Sequence, residues 1–163
     1  MDLALQLELC LRVGLAAILS ALVGYNRERN RQPAGLRTHM LVGIGSALFT
    51  SLSLYAFPPD NPGRVAAQVV TGIGFLGAGA IIQGRGRSVR GMTTAAGIWT
   101  VAAIGMACGT GFYLLATFAA VLTWFVLAVL RRFDMRSIKA ENRELINKSL
   151  IATLPTTPEN KKK

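Results

Sequence analysis

Carboxylates are scarce in this chain. Its 163 residues hold 8 Asp and Glu against 18 Lys and Arg, with a single histidine and two cysteines. So few acids and one imidazole leave no material for a Ser-His-Asp triad, a Cys-His pair or paired catalytic carboxylates, and an enzyme is not expected. His39 has no thiolates or carboxylates near it in sequence, so neither a metal site nor a cofactor is expected. Cys10 and Cys108 form no zinc motif and no disulfide scaffold, and read as small buried hydrophobes. Aromatic residues make up 7% of the chain and offer no exposed stacking platform, so the net charge of +10 does not point to nucleic acid. The first apolar block, Leu3 to Val23, opens on Asp2 and Glu8 without a basic lead, and reads as a retained span rather than a signal peptide.

What the chain does have is long apolar runs. Hydrophobic residues make up 52% of it, and the mean hydropathy is +0.42. Five segments are long enough, or nearly so, to cross about 30 Å of hydrocarbon. They run from about Leu7 to Tyr25, Leu36 to Phe57, Val65 to Gln83, Thr94 to Cys108 and Tyr113 to Leu130. The fourth is short, and Gly105, Gly109 and Gly111 blur its end. The expected fold is an all-α integral membrane bundle of about five transmembrane helices over residues 1–130. A basic cytoplasmic tail, part helical and part disordered, is expected over 131–163.

The loops set the orientation. Arg27, Arg29, Arg31 and Arg37 fall in the first loop, Arg85, Arg87 and Arg90 in the third, and Arg131 and Arg132 open the tail. The second loop holds only Asp60 and Arg64, and the fourth is uncharged. Basic loops remain cytoplasmic, which places the N-terminus outside and the C-terminus inside. Anionic lipid on the cytoplasmic side is the expected partner of these arginines.

Small residues crowd two of the spans. Gly72, Gly74, Gly77 and Gly79 fall in one run, and Gly105 and Gly109 make a GxxxG pair, as Ser20 and Gly24 nearly do. Lipid supplies no hydrophobic drive between helices, so such glycines predict close crossings within the chain or between copies of it. The letters Gly72-x-Gly74-x-x-Gly77 match a dinucleotide fingerprint, but no strand precedes them and no acid follows at the required distance.

Several polar residues near the spans admit two readings each. Arg12 and Glu8, four apart, can pair on one helical face or reach the interface. His39 reads as a helix-end residue at the cytoplasmic interface, with proton sensing as the sharper alternative. Asp60-Asn61-Pro62 reads as a helix start, and Asp60, Arg64 and Gln68 alternatively line an outward-facing polar pocket. Thr93 and Thr94 are placed to cap the fourth span beside Arg90, an anion site in outline. Glu28, a lone acid among arginines, is expected to pair with Arg37. A disulfide between Cys10 and Cys108 requires that the first and fourth spans touch.

Several stretches taken together resemble the MgtC/SapB family of bacterial inner-membrane proteins. They are Asn26-Arg27-Glu28, Ala34 to His39, Arg64 to Val70, Gly72 to Gly79 and Val89 to Ala96, in that order. The resemblance covers about residues 5 to 130. It implies a multi-pass bacterial plasma-membrane protein linked to magnesium homeostasis, survival at low magnesium and virulence. It further implies a regulator that restrains the proton-translocating ATP synthase, although older naming calls many members magnesium transporters. Two departures stand out. Many members carry Glu where this chain has Asn26, and one branch carries an ACT-like C-terminal domain that the thirty or so residues after the last span are too few to form.

The leading expectation is a non-enzymatic regulator acting through membrane-helix contacts. The rival is a cation transporter or channel, for which Glu28, Asp60 and Gln68 are the available oxygen ligands. A third reading has Arg27, Arg37 and Arg90 bind a small anion or lipid head group.

Overall fold

The computed structural model describes residues 2–56, 63–83 and 89–130. Its compact unit is Met1–Leu127, and a second unit begins at Ala128. Five α-helices make up the compact unit: α1 (Leu3–Arg29), α2 (Leu36–Tyr55), α3 (Gly63–Ala80), α4 (Met92–Thr110) and α5 (Tyr113–Phe125). A two-residue antiparallel pairing, Ile82–Gln83 with Val89–Arg90, lies between α3 and α4. α5 runs on as a π-helical turn, Val126–Leu130. The chain is an all-α membrane bundle.

α1 and α4 are each long and apolar enough to cross a bilayer, and the apolar stretch Tyr113–Val129 is shorter. α1 is 27 residues, or about 40 Å at 1.5 Å per residue, longer than the hydrocarbon layer. It exceeds the expected Leu7–Tyr25 because hydropathy marks the apolar stretch, whereas the hydrogen-bonded helix continues through polar residues at both ends. Its buried residues, Arg12, Ala16, Leu19, Ser20, Val23, Gly24 and Arg27, recur every three or four positions and form one face.

The break between the fourth and fifth segments is real. Gly111 caps α4 in the left-handed region, at φ +87°, and its N–H bonds back to Cys108 O at 3.0 Å. At the other end Gly91, φ +92°, precedes α4 where a Cβ would collide with Ala80 O.

α1, α2 and α4 form the centre of the bundle. α3 packs on α4 and α2, and α5 packs on α4 and α1. Two buried apolar clusters fill the interior. One gathers Val23, Ala34, Val42, Ile73, Ile98, Val101, Ala102 and Leu127, and the other Ala16, Leu19, Ala47, Ile104, Cys108, Ala116 and Ala120. Cys108 is wholly buried in the second cluster, whereas Cys10 is exposed, and both thiols are free. The expected tail, Arg85, Arg87 and the Asp60-Asn61-Pro62 helix start lie outside the described residues.

Candidate functional site

The α2–α4 seam is built from polar side chains set against bare backbone. Along α2 the buried face carries His39, Gly43, Ser46, Thr50 and Ser51. Opposite it α4 presents Gly97, Gly105 and Gly109. A Cβ on Gly97 would lie 3.5 Å from His39 Nε2, and one on Gly109 would lie 3.0 Å from Thr50 Cβ and 2.6 Å from Ala47 O. A Cβ on Gly105 would collide with Gly43 O and crowd Ser46 Cβ at 3.0 Å. These pairings ascend together in residue number, so α2 and α4 run parallel. α1 completes the seam: Gly24 leaves room for Leu36 and His39, and Ser20 Oγ occupies the space beside Gly43. Ser20 Oγ, His39 Nε2 and Thr50 Oγ1 are buried along this seam with no hydrogen-bond partner among the described residues.

One end of the seam is closed by Arg12, which is 8% exposed. Its Nε donates to Tyr113 Oη at 3.1 Å, and its Nη1 donates to Tyr55 Oη and Gly109 O, each at 3.0 Å. Its Nη2 donates to the half-exposed carboxylate of Glu8, with which it forms an ion pair. The guanidinium also lies 5.4 Å from the Tyr55 ring centroid, within cation–π range. Ser51 Oγ donates to the same Gly109 carbonyl at 3.3 Å. A single cation thus ties α1, the end of α2, the end of α4 and the start of α5. The expected Arg12–Glu8 pair forms, but the arginine turns inward because two tyrosines and a helix-end carbonyl satisfy it there.

The other end is closed by Arg27, 4% exposed. Its Nη2 donates to Thr94 Oγ1 at 2.6 Å and to Gln32 Oε1 at 3.1 Å. Thr94 therefore does not cap α4. The N-cap position is Gly91, which has no side chain to cap with, and Thr93 is exposed. His39 is wholly buried rather than interfacial, because Gly24 and Gly97 leave space for its ring between α1 and α4; its Nδ1 lies 2.8 Å from Gly35 O. Glu28 does not pair with Arg37. Its Oε2 accepts the Leu36 N–H at 2.7 Å and so caps α2 from eight residues away, and Gly35 is bare beside it. Arg37 and Arg90 are exposed. Asn26 is half-buried, and its main-chain oxygen accepts from Asn30 Nδ2 at 2.6 Å. No group of three His, Cys, Asp or Glu side chains converges among the described residues.

α3 is the least enclosed helix of the bundle, with only Ile73 and Gly77 buried. Gly77 packs in ordinary contact with Ala95, at 3.6 Å, but a Cβ on Gly72, Gly74 or Gly79 would meet nothing within 4 Å. Among the described residues, the approach is close at Gly105 and Gly109, ordinary at Gly77, and open at Gly72, Gly74 and Gly79. Arg64 and Gln68 are also exposed, on the first turns of α3.

The convergence of Tyr55 and Tyr113 on Arg12 is not visible in the sequence. The Glu8–Arg12 spacing marks a helical pair, but the tyrosines lie 43 and 101 residues away from Arg12 and carry no local signal.

The profile of the MgtC family matches residues 13–136, which takes in all of α2 to α5 and most of α1. The chain belongs to the MgtC family. YhiD of Escherichia coli (strain K12), named provisionally as a magnesium transporter, is 45% identical over 137 residues, 79% of this chain and 63% of YhiD. Protein MgtC of Salmonella typhimurium (strain LT2) is 44% identical over 133 residues, 79% of this chain and 57% of that protein. Protein MgtC of Brucella abortus is 47% identical over 114 residues, 70% of this chain and 46% of that protein. The chain thus spans roughly half to two thirds of the length of these MgtC-family relatives. No solved structure matches.

Proposed function

We propose that this MgtC-family protein is a non-enzymatic regulator that sits in the bacterial inner membrane as a five-span bundle, N-terminus outside, and acts by docking one helix on another membrane complex. The observation that supports this reading is the outer face of α3. Ala67, Thr71, Gly74 and Ala78 recur at four, three and four residues, all are exposed, and Gly74 has open space where a side chain would begin. In lipid, such a strip of small residues lets a second helix come close enough for backbone and side-chain packing to drive association. Arg12 and Arg27, by contrast, are engaged at the two ends of the seam, where they tie α1 to α4.

The proton-translocating ATP synthase is the partner that the family resemblance favours. ATP-driven proton pumping by inverted membrane vesicles should fall when the protein is expressed, and should recover with Gly74→Leu, which blocks the strip. Unchanged pumping at high expression removes that target. The provisional naming of YhiD supports the second reading, magnesium transport. Saturable Mg2+ uptake into proteoliposomes, reduced by Glu28→Gln, would displace the regulator in its favour.

A further inference from the structure

The imidazole of His39 is wholly buried between Gly24 on α1 and Gly97 on α4, and only one of its nitrogens is engaged. Nδ1 lies 2.8 Å from Gly35 O. A carbonyl can only accept, so Nδ1 carries the proton, and in the neutral ring the lone pair is on Nε2. Nε2 is buried and has no hydrogen-bond partner among the described residues. A bare acceptor inside a membrane bundle is costly, because bulk water does not reach it.

Gly97 makes room beside that atom. At Gly43, Gly105 and Gly109 the point where a Cβ would sit is taken by Ser20 Oγ, Gly43 O and Ala47 O. Gly97 is buried as they are, yet the same point there meets only His39 Nε2, at 3.5 Å, an ordinary contact distance. The space suits a group the size of a methyl or of one water. Its surroundings select between kinds of occupant. The lone pair on Nε2 calls for a hydrogen-bond donor, which excludes an anion. The Arg27 guanidinium acts electrostatically on the ring, which opposes a cation. A neutral donor of one heavy atom is water. A group that donates to it is also near. Thr94, buried, stands three residues before Gly97 on the same face of α4. Its Oγ1 accepts from Arg27 Nη2 at 2.6 Å, which leaves the hydroxyl proton to give.

We propose that the pocket at Gly97 binds one water molecule, which donates to His39 Nε2 and accepts from the Thr94 hydroxyl. Its second proton goes to a main-chain carbonyl of α4 that Gly97 leaves bare, so the water has the partners a buried water needs. The hydrogen bonds then run in one direction. Arg27 donates to Thr94, Thr94 to the water, the water to His39, and His39 to Gly35 O. Chains in which every group donates to the next polarise one another and strengthen together. This one joins α1, α4 and the start of α2 at the Arg27 end of the seam. The site depends on neither the regulator reading nor the transport reading.

The test is Gly97→Ala in the full chain, unfolded in detergent micelles. The new methyl fits at contact distance without a clash. With nothing to displace, the better helix propensity of alanine should raise the folding equilibrium constant about fivefold. Displacing a water strands the buried acceptor, and the constant should instead fall about fivefold. In a His39→Leu background, which has no acceptor to strand, the same substitution should raise it. Two spectra of the wild type read the site directly. The 15N spectrum of the imidazole should place the proton on Nδ1, and water protons should show a nuclear Overhauser contact with the Gly97 α protons. These spectra give the answer even where the alanine variant does not fold. Stabilisation by Gly97→Ala with His39 in place overturns the proposal. So does a proton on Nε2, and so does the lack of a water contact at Gly97.

Discussion

Gly105 and Gly74 are both mid-helix glycines in apolar helices, and they do opposite things. Gly105 lies where α2 crosses α4, and the Gly43 carbonyl occupies the space its side chain would take. Gly74 lies on α3 with open space around it. The first glycine is consumed by the fold. The second leaves a surface unfilled, and a membrane protein that keeps a small-residue surface facing lipid retains the capacity to pack against another helix there. In the interior, glycines make room for buried polar side chains of α2, and on α3 Gly72, Gly74 and Gly79 have open space where a side chain would begin. Substitution can separate these two roles.

The largest effect should come from the end of the seam. Arg12→Met removes the donor to Tyr55, Tyr113 and the Gly109 carbonyl at once, and leaves these groups buried or half-buried without it. A loss of about 3 kcal/mol is expected. Glu8→Gln should cost under about 1 kcal/mol, because that carboxylate is half exposed and solvent screens the pair. Unfolding midpoints in detergent micelles, followed by helical circular dichroism, compare the two. Equal losses would show that the ion pair, and not the tyrosine and carbonyl bonds, holds Arg12 in place.

Gly105→Ala comes next. The new methyl collides with main chain that cannot rotate away, so α2 and α4 must separate along the seam. Overpacking of this kind costs about 1–3 kcal/mol, and the better helix propensity of alanine offsets up to about 1 kcal/mol of it. A net destabilisation of about 1–2 kcal/mol in the same unfolding assay is the expected outcome. An unchanged midpoint would mean that the seam is loosely packed and that the contrast with α3 fails.

Much of this was legible in the sequence, for definite reasons. Helix number and placement follow from long apolar runs interrupted by short loops, two of them arginine-rich, and the break at Gly111 follows from a glycine that can adopt positive φ. The packing role of Gly105 and Gly109 follows from their spacing of four. What the sequence could not separate is Gly105 from Gly74, because both are glycines within apolar helices and only the neighbouring backbone tells them apart. His39 misled for a related reason. Its position at a helix start suggests the interface, and the residues that draw it inward, Gly24 and Gly97, belong to two other helices. Glu28 misled because charge counting finds Arg37, whereas the free Leu36 N–H at the start of α2 is a main-chain donor that no residue letter reveals.

That cap supplies a smaller prediction. Glu28→Ala should destabilise by about 1 kcal/mol, the usual loss when a helix-start N–H loses its side-chain acceptor. Glu28→Gln keeps an oxygen in place and should lose less. Since α2 carries the polar side of the seam, hydrogen exchange at Leu36 to His39 should quicken in the alanine variant while exchange along α3 stays unchanged. Quickening on both helices would indicate that α3 is not independent of the seam.

The smallest effect has the opposite sign, and it bears most directly on the contrast between the two glycines. Gly74→Ala adds a methyl that meets nothing among the described residues. The substitution removes backbone freedom from the unfolded state and improves helix propensity, so it should stabilise the isolated protein by about 0.5–1 kcal/mol. The same replacement that loosens the bundle at Gly105 should tighten it at Gly74. If α3 docks on a partner helix through this strip, the added methyl holds the two backbones apart, and complex formation should weaken while the protein alone becomes more stable. Gain of stability together with loss of association is the signature of a residue retained for contact and not for folding. Gain of stability with unaltered association would place the docking surface elsewhere, and would leave the open glycines of α3 to the lipid.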